Sequence, residues 1–184
     1  MTGSLVLGDQ VSCSRVGGVM RRESARLRQR AQALAVARGN FANLADLAAT
    51  RPCASNARVD SLLRALNAAA EDLDLGGAAL QRYATELAEA HELGRRAERR
   101  VRSAGLLLQG TRVVEPWGPA STQEAERRRA QVPEVQSRVD LATAHVGRAR
   151  GRLNREMARL AQSFSADSVE AYSGQPGPPP PRGS

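Results

Sequence analysis

Apolar residues recur along the chain in alternating steps of three and four, the spacing that lines one stripe of an α-helix. The pattern is longest from Ser55 to Leu108. There Val59, Leu62, Leu66, Ala69, Leu73, Gly76, Leu80, Tyr83, Leu87, Ala90, Gly94, Ala97, Val101, Ala104 and Leu108 repeat without a break, which makes about seven heptads of a coiled-coil-like seam. Ser55 is placed to cap its start. Gly76-Gly77 in mid-helix cost ~1 kcal/mol each against alanine. Because the seam continues on both sides, tertiary packing is expected to keep the helix whole, and the small residues let a neighbour approach closely.

Two further helices flank this one. Met20, Leu27, Leu34, Phe41 and Ala48 repeat every seven residues, with Ala31 and Leu44 between them, and predict a helix over about residues 9–50. Gly17-Gly18 loosen its start, Gly39-Asn40 invite a kink, and Pro52 ends it. The last helix is predicted over 121–164. Ser121 with Glu124 reads as a capping box, and Val132, Val135, Val139, Ala142, Val146, Ala149, Leu153, Met157, Leu160 and Phe164 form its stripe. Pro133 predicts a kink or a second start. Residues 165–184, "SADSVEAYSGQPGPPPPRGS", read as a disordered Pro/Gly-rich tail.

The expected fold is all-α: an elongated antiparallel bundle of three long helices in one domain over residues 1–164, with a Trp loop at 109–120. Short connections make consecutive helices antiparallel, and the charges agree. Residues 15–38 hold seven arginines against Glu23, whereas residues 71–92 hold six acidic groups against Arg82. Folding at about residue 52 lays these stretches together. The third helix brings Arg148, Arg150, Arg152, Arg155 and Arg159 toward the same acids.

Composition sharpens this picture. Aromatics make up 3% of the 184 residues, which suits narrow apolar seams and excludes a thick core or a large apolar pocket. The net charge is +8, and all 27 basic residues are arginine. The complete exclusion of lysine fits codon pressure in a GC-rich genome, so the charge by itself is weak evidence for nucleic acid. After the internal pairings, the surplus positive charge falls near the Trp loop, on Arg95, Arg96, Arg99, Arg100, Arg102, Arg112, Arg127, Arg128 and Arg129. With Trp117, these are the candidate partner-binding residues. Trp117, Val113 and Val114 are expected to close the bundle end as a plug, with Pro116 and Pro119 stiffening the turn.

Little here points to catalysis. His91-Glu92 begins an H-E-x-x-H zinc pattern, but Arg95 holds the second histidine's position. His145 has no Cys or His at ligand spacing, so no metal site is expected. A phosphate-binding loop of the lysine-containing kind cannot be built without lysine, and no G-x-S-x-G elbow occurs. Glu86, Glu89 and Glu92 lack the enclosure that shifts acid/base pKa values. No catalytic or cofactor-binding residues are therefore assigned. Cys13 and Cys53 would stand ~50–60 Å apart along a helix, too far for a disulfide. Neither a basic-then-apolar leader nor an apolar run of spanning length is present. A chain synthesised as a cytoplasmic protein is expected, with export lacking a cleaved signal left open.

The Ala/Leu/Arg-rich hairpin, with "LQRYATELAEAHELGRRAERR" on its second helix, resembles the actinobacterial WXG100-type proteins associated with type VII (ESX-like) secretion. The likeness covers about residues 5–105. It implies a non-enzymatic module that pairs helix to helix with itself or a paralogue. The family's Trp-x-Gly turn is missing from "ATRPCASNARV"; Trp117-Gly118 stands in the next turn instead. The family's Tyr-x-x-x-Asp/Glu signal has no match either, with Leu87 four residues after Tyr83 and Pro176 four after Tyr172. The alternatives are an Arg-rich protein binding nucleic-acid phosphates through the 95–129 surface, which few exposed stacking residues would support, and a purely structural coiled coil.

Overall fold

The computed structural model describes residues 8–47 and 55–173, with side chains over 8–43 and 57–164. It is an all-α protein. Helix α1 spans Gln10–Leu47, α2 Ser55–Ser103 and α3 Thr122–Ser173. A short hairpin, β1 (Leu107–Gln109) and β2 (Arg112–Val114), stands between α2 and α3. Cys53, Pro52 and the turn between α1 and α2 lie outside the described residues. So does the Pro-rich end from residue 174.

Each helix starts or stops for a local reason. Asp9 caps α1: its Oδ1 accepts from the Val11 amide at 2.9 Å and its Oδ2 from the Ser12 hydroxyl at 2.5 Å. Ser121 caps α3, its Oγ accepting from the Glu124 amide at 3.3 Å. Glu124 does not complete the expected box in return; it pairs with Arg128 one turn on. The helix α1 runs without interruption through Gly17, Gly18 and Gly39. Likewise α3 is one helix through Pro133 rather than two. Pro133 is exposed, so the carbonyl it leaves unbonded lies on the solvent side. The helix also continues past Phe164 to Ser173, so residues 165–173 are helical where an unstructured tail was expected.

The packing divides into two compact units, Met1–Val16 with Ala79–Arg155, and Gly17–Ala78 with Glu156–Ser184. In the first, Tyr83, Leu87, Ala90, Val146 and Ala149 form one core cluster, with Cys13 and Leu153 against it. A second cluster joins Ala97, Val101, Leu106, Val113, Val135 and Val139. Here α2 and α3 run antiparallel: Arg152 pairs with Glu86 at 2.8 Å, and Arg100 with Glu134 at 3.3 Å.

The second unit is built on small residues. Gly17, Ser24 and Ala31, seven apart on α1, are its buried stripe. Ser24 is fully buried and donates its hydroxyl to the Ala70 carbonyl at 2.6 Å, so the two helix backbones approach closely. The predicted charge pairing of this hairpin is present. Arg21 and Arg28 both reach Asp74, at 3.1 and 3.5 Å, and Arg38 binds Asp60 with both guanidinium arms. Leu160 of α3 and Met20 of α1 both pack against Gly76. Buried Asp72 accepts from Ser163 at 3.0 Å.

Candidate functional site at the hairpin end

The seam of α2 stops earlier than its periodicity predicts. The helix ends at Ser103 because Gly105 takes the left-handed conformation (φ 64°). The Leu106 amide then donates to the Val101 carbonyl at 3.0 Å and the Gly105 amide to the Arg102 carbonyl at 3.1 Å. That is a Schellman cap. It turns Leu106 back beside Val101 in the second core cluster. Leu108, the last expected seam position, is a strand residue instead.

The chain next makes a hairpin where a Trp loop was expected from residue 109. Leu107 pairs with Val114, Leu108 with Val113, and Gln109 with Arg112, leaving the two-residue loop Gly110-Thr111. Gly110 supplies the positive φ (61°) that primed turns require at that position. Leu108 and Val113 face inward, while Leu107, Gln109 and Arg112 face solvent. Gln136 of α3 fastens the hairpin's outer edge. Its Oε1 accepts from the Val113 amide at 2.8 Å, and its Nε2 donates to the Thr111 carbonyl at 2.9 Å. One side-chain amide thus serves as a neighbouring strand would.

Only part of the expected plug is present. Val113 is buried among Val135, Val139 and Leu106. Trp117 is not: it is fully exposed, at 103% of its reference area. Leu106, which the helical reading assigned to no seam, fills the place instead. Gly105 followed by the alternating "LLQGTRVV" was the available signal for both the cap and the hairpin.

The arginine cluster is more fully neutralised than its sequence surplus predicts. Glu92 alone receives Arg95 at 2.7 Å, Arg96 at 3.0 Å and Arg99 at 3.4 Å. The hydrogen bonds from Arg95 and then Arg96 hold its carboxyl at a pKa of about 2. Glu134 accepts from Arg100 and Arg138 and is lowered for the same reason, Arg100's hydrogen bond first. Arg128 pairs with Glu124, and Arg129 with Glu115 at 3.4 Å. Of the candidate set, Arg102, Arg112 and Arg127 have no carboxylate partner among the described residues.

Among the described residues no three His, Cys, Asp or Glu side chains group as metal ligands. His145 has a single carboxylate neighbour, Glu89 at 3.5 Å. What the described side chains show at this end is ion pairing. The fold and site together define a three-helix protein with a β-hairpin inserted at the α2–α3 connection. Comparison with protein-family models, curated proteins and solved structures finds no match.

Proposed function

We propose that the protein is a non-enzymatic helical interaction module that packs its helices against a protein partner, either a second copy or a paralogue. The supporting observation is that apolar seam positions of the second unit stay open. Phe41 on α1 is 73% exposed and Leu62 on α2 is 51% exposed. Leu34 and Leu66, the preceding and following members of their respective stripes, are half-buried, so apolar surface at Phe41 and Leu62 is available to an incoming helix. The resemblance to WXG100-type proteins gives this reading its particular form, a role beside type VII secretion.

The test is co-expression with the products of neighbouring genes, followed by size-exclusion chromatography with light scattering. A stable homo- or heterodimer that Phe41→Ser with Leu62→Ser dissociates is expected. A monomer that no neighbour's product binds would overturn the reading. Neighbouring genes devoted to unrelated metabolism would remove the secretion form of it.

A further inference from the structure

The hairpin end of the first unit carries a surface that helix pairing does not use. Trp117 projects into solvent from a bend bracketed by Pro116 and Pro119, so the exposed indole sits on a stiffened backbone. Leu107, on the outward face of the hairpin, is 50% exposed. Positive charge is concentrated in the stretch of chain that carries them. Residues 92–138 hold ten arginines and six glutamates, so half of the chain's net charge of +8 falls in about a quarter of its length. Arg102, Arg112 and Arg127 lack carboxylate partners, against the one unpaired carboxylate of Glu126.

An exposed tryptophan and leucine, on a stretch that also carries arginines without carboxylate partners, suit a partner that is anionic on its surface and apolar just beneath. A bilayer rich in anionic lipid has both properties. An indole settles at the headgroup level, its ring toward the acyl chains and its N–H toward water. Guanidinium groups beside it meet lipid phosphates, and the negative surface potential draws the whole basic end inward. Side chains that project outward need no matching cavity in a surface that deforms around them. No helix among the described residues is long and apolar enough to cross a membrane, so this engagement is at the surface.

We propose that the hairpin end docks on anionic lipid membranes, Trp117 inserting at headgroup depth and Arg102, Arg112 and Arg127 contributing positive charge. It involves neither Phe41 nor Leu62, so this inference stands or falls independently of the partner reading.

Trp117 is the single tryptophan of the chain, so intrinsic fluorescence reports on this position alone. The full chain is mixed with vesicles of phosphatidylcholine containing phosphatidylserine, with pure phosphatidylcholine vesicles, and with duplex DNA and polyglutamate. Expected are sedimentation with the anionic vesicles, a blue shift of Trp117 emission, and quenching by lipids brominated near the headgroup. Replacing Arg102, Arg112 and Arg127 with Gln should weaken partitioning roughly a hundredfold. Raising the salt concentration on the unaltered chain should release it in the same direction, whether or not that variant folds. Trp117→Ala should weaken binding without changing the melting temperature. No sedimentation with anionic vesicles, or sedimentation with Trp117 emission unchanged, would overturn the proposal. So would a shift seen with DNA or polyglutamate and not with vesicles, which would assign the surface to a soluble polyanion.

Discussion

Gly77 lies directly against Gly17. A Cβ on Gly77 would stand 2.7 Å from the Gly17 carbonyl oxygen and 2.6 Å from Cγ of Arg21. The first of these neighbours is backbone and cannot swing aside. The close approach also lets Ser24 reach the Ala70 carbonyl.

Gly77→Ala is therefore expected to destabilise the protein although alanine is the better helix former. Forcing the helices apart costs ~1–3 kcal/mol, against a propensity gain of up to ~1 kcal/mol. Gly39→Ala is the control: nothing lies within 4 Å of its Cβ position, so only the gain remains. Thermal melts should show Gly77→Ala below the parent and Gly39→Ala above it. The same sign for both would show that the Gly17–Gly77 crossing is not tight.

Leu87 is fully buried in the first core cluster, whereas Leu80 on the same seam is half-buried. Leu87→Ala should cost ~2–5 kcal/mol, and Leu80→Ala should cost less, near the low end of that range. Urea denaturation of the two variants ranks them; equal midpoints would contradict the difference in burial.

Gln136 holds the Val113 amide and the Thr111 carbonyl with one side chain. Gln136→Ala leaves an amide in a buried residue without its partner, at ~1–3 kcal/mol. Faster hydrogen exchange at the Val113 amide, with α2 amides around Leu87 still protected, is the expected signature. Unchanged exchange at Val113 would show that the hairpin holds without this fastening.

Glu92 titrates near 2 in the folded chain, below its ordinary 4.5, because Arg95 and then Arg96 bond its carboxylate. A depressed carboxylate supports the folded state above its unfolded pKa, and that support is lost as pH falls through the folded value. The loss should run from about pH 4.5 down to about pH 2. The residue is exposed, so the effect on overall stability is small and salt-sensitive. Carboxyl NMR shifts of Glu92 should titrate within that range, and Arg95→Gln with Arg96→Gln should move the midpoint upward. A midpoint already near 4.5 in the parent would mean that the arginines do not engage it.

Much of the scaffold could be read from periodicity alone. The stripes through Leu27, Leu87 and Val139 require three amphipathic helices, because a 3-4 repeat can bury its apolar side in no other regular form. Ser121 and Glu124 marked the start of α3, and the charge complement of residues 15–38 with 71–92 anticipated Arg21 and Arg28 on Asp74. The site was less legible. A seam template carried α2 through Leu108, because Ala104 and Leu108 fit the spacing. Gly105's left-handed turn and the hairpin it launches depend on a bond pattern that no apolar count contains.

By itself, then, the sequence determined that the chain is helical, where its seams lie, and which charges are there to be paired. Tertiary structure decided which charges meet and what remains at the surface. Three arginines converge on Glu92 because α2 sets them three, four and seven residues away. Leu106 and Val113 fill the space against Val135 and Val139, while Trp117 stands in solvent. Both outcomes rest on distances in space, and hydrophobicity along a chain records a preference for burial without saying which residue takes the room.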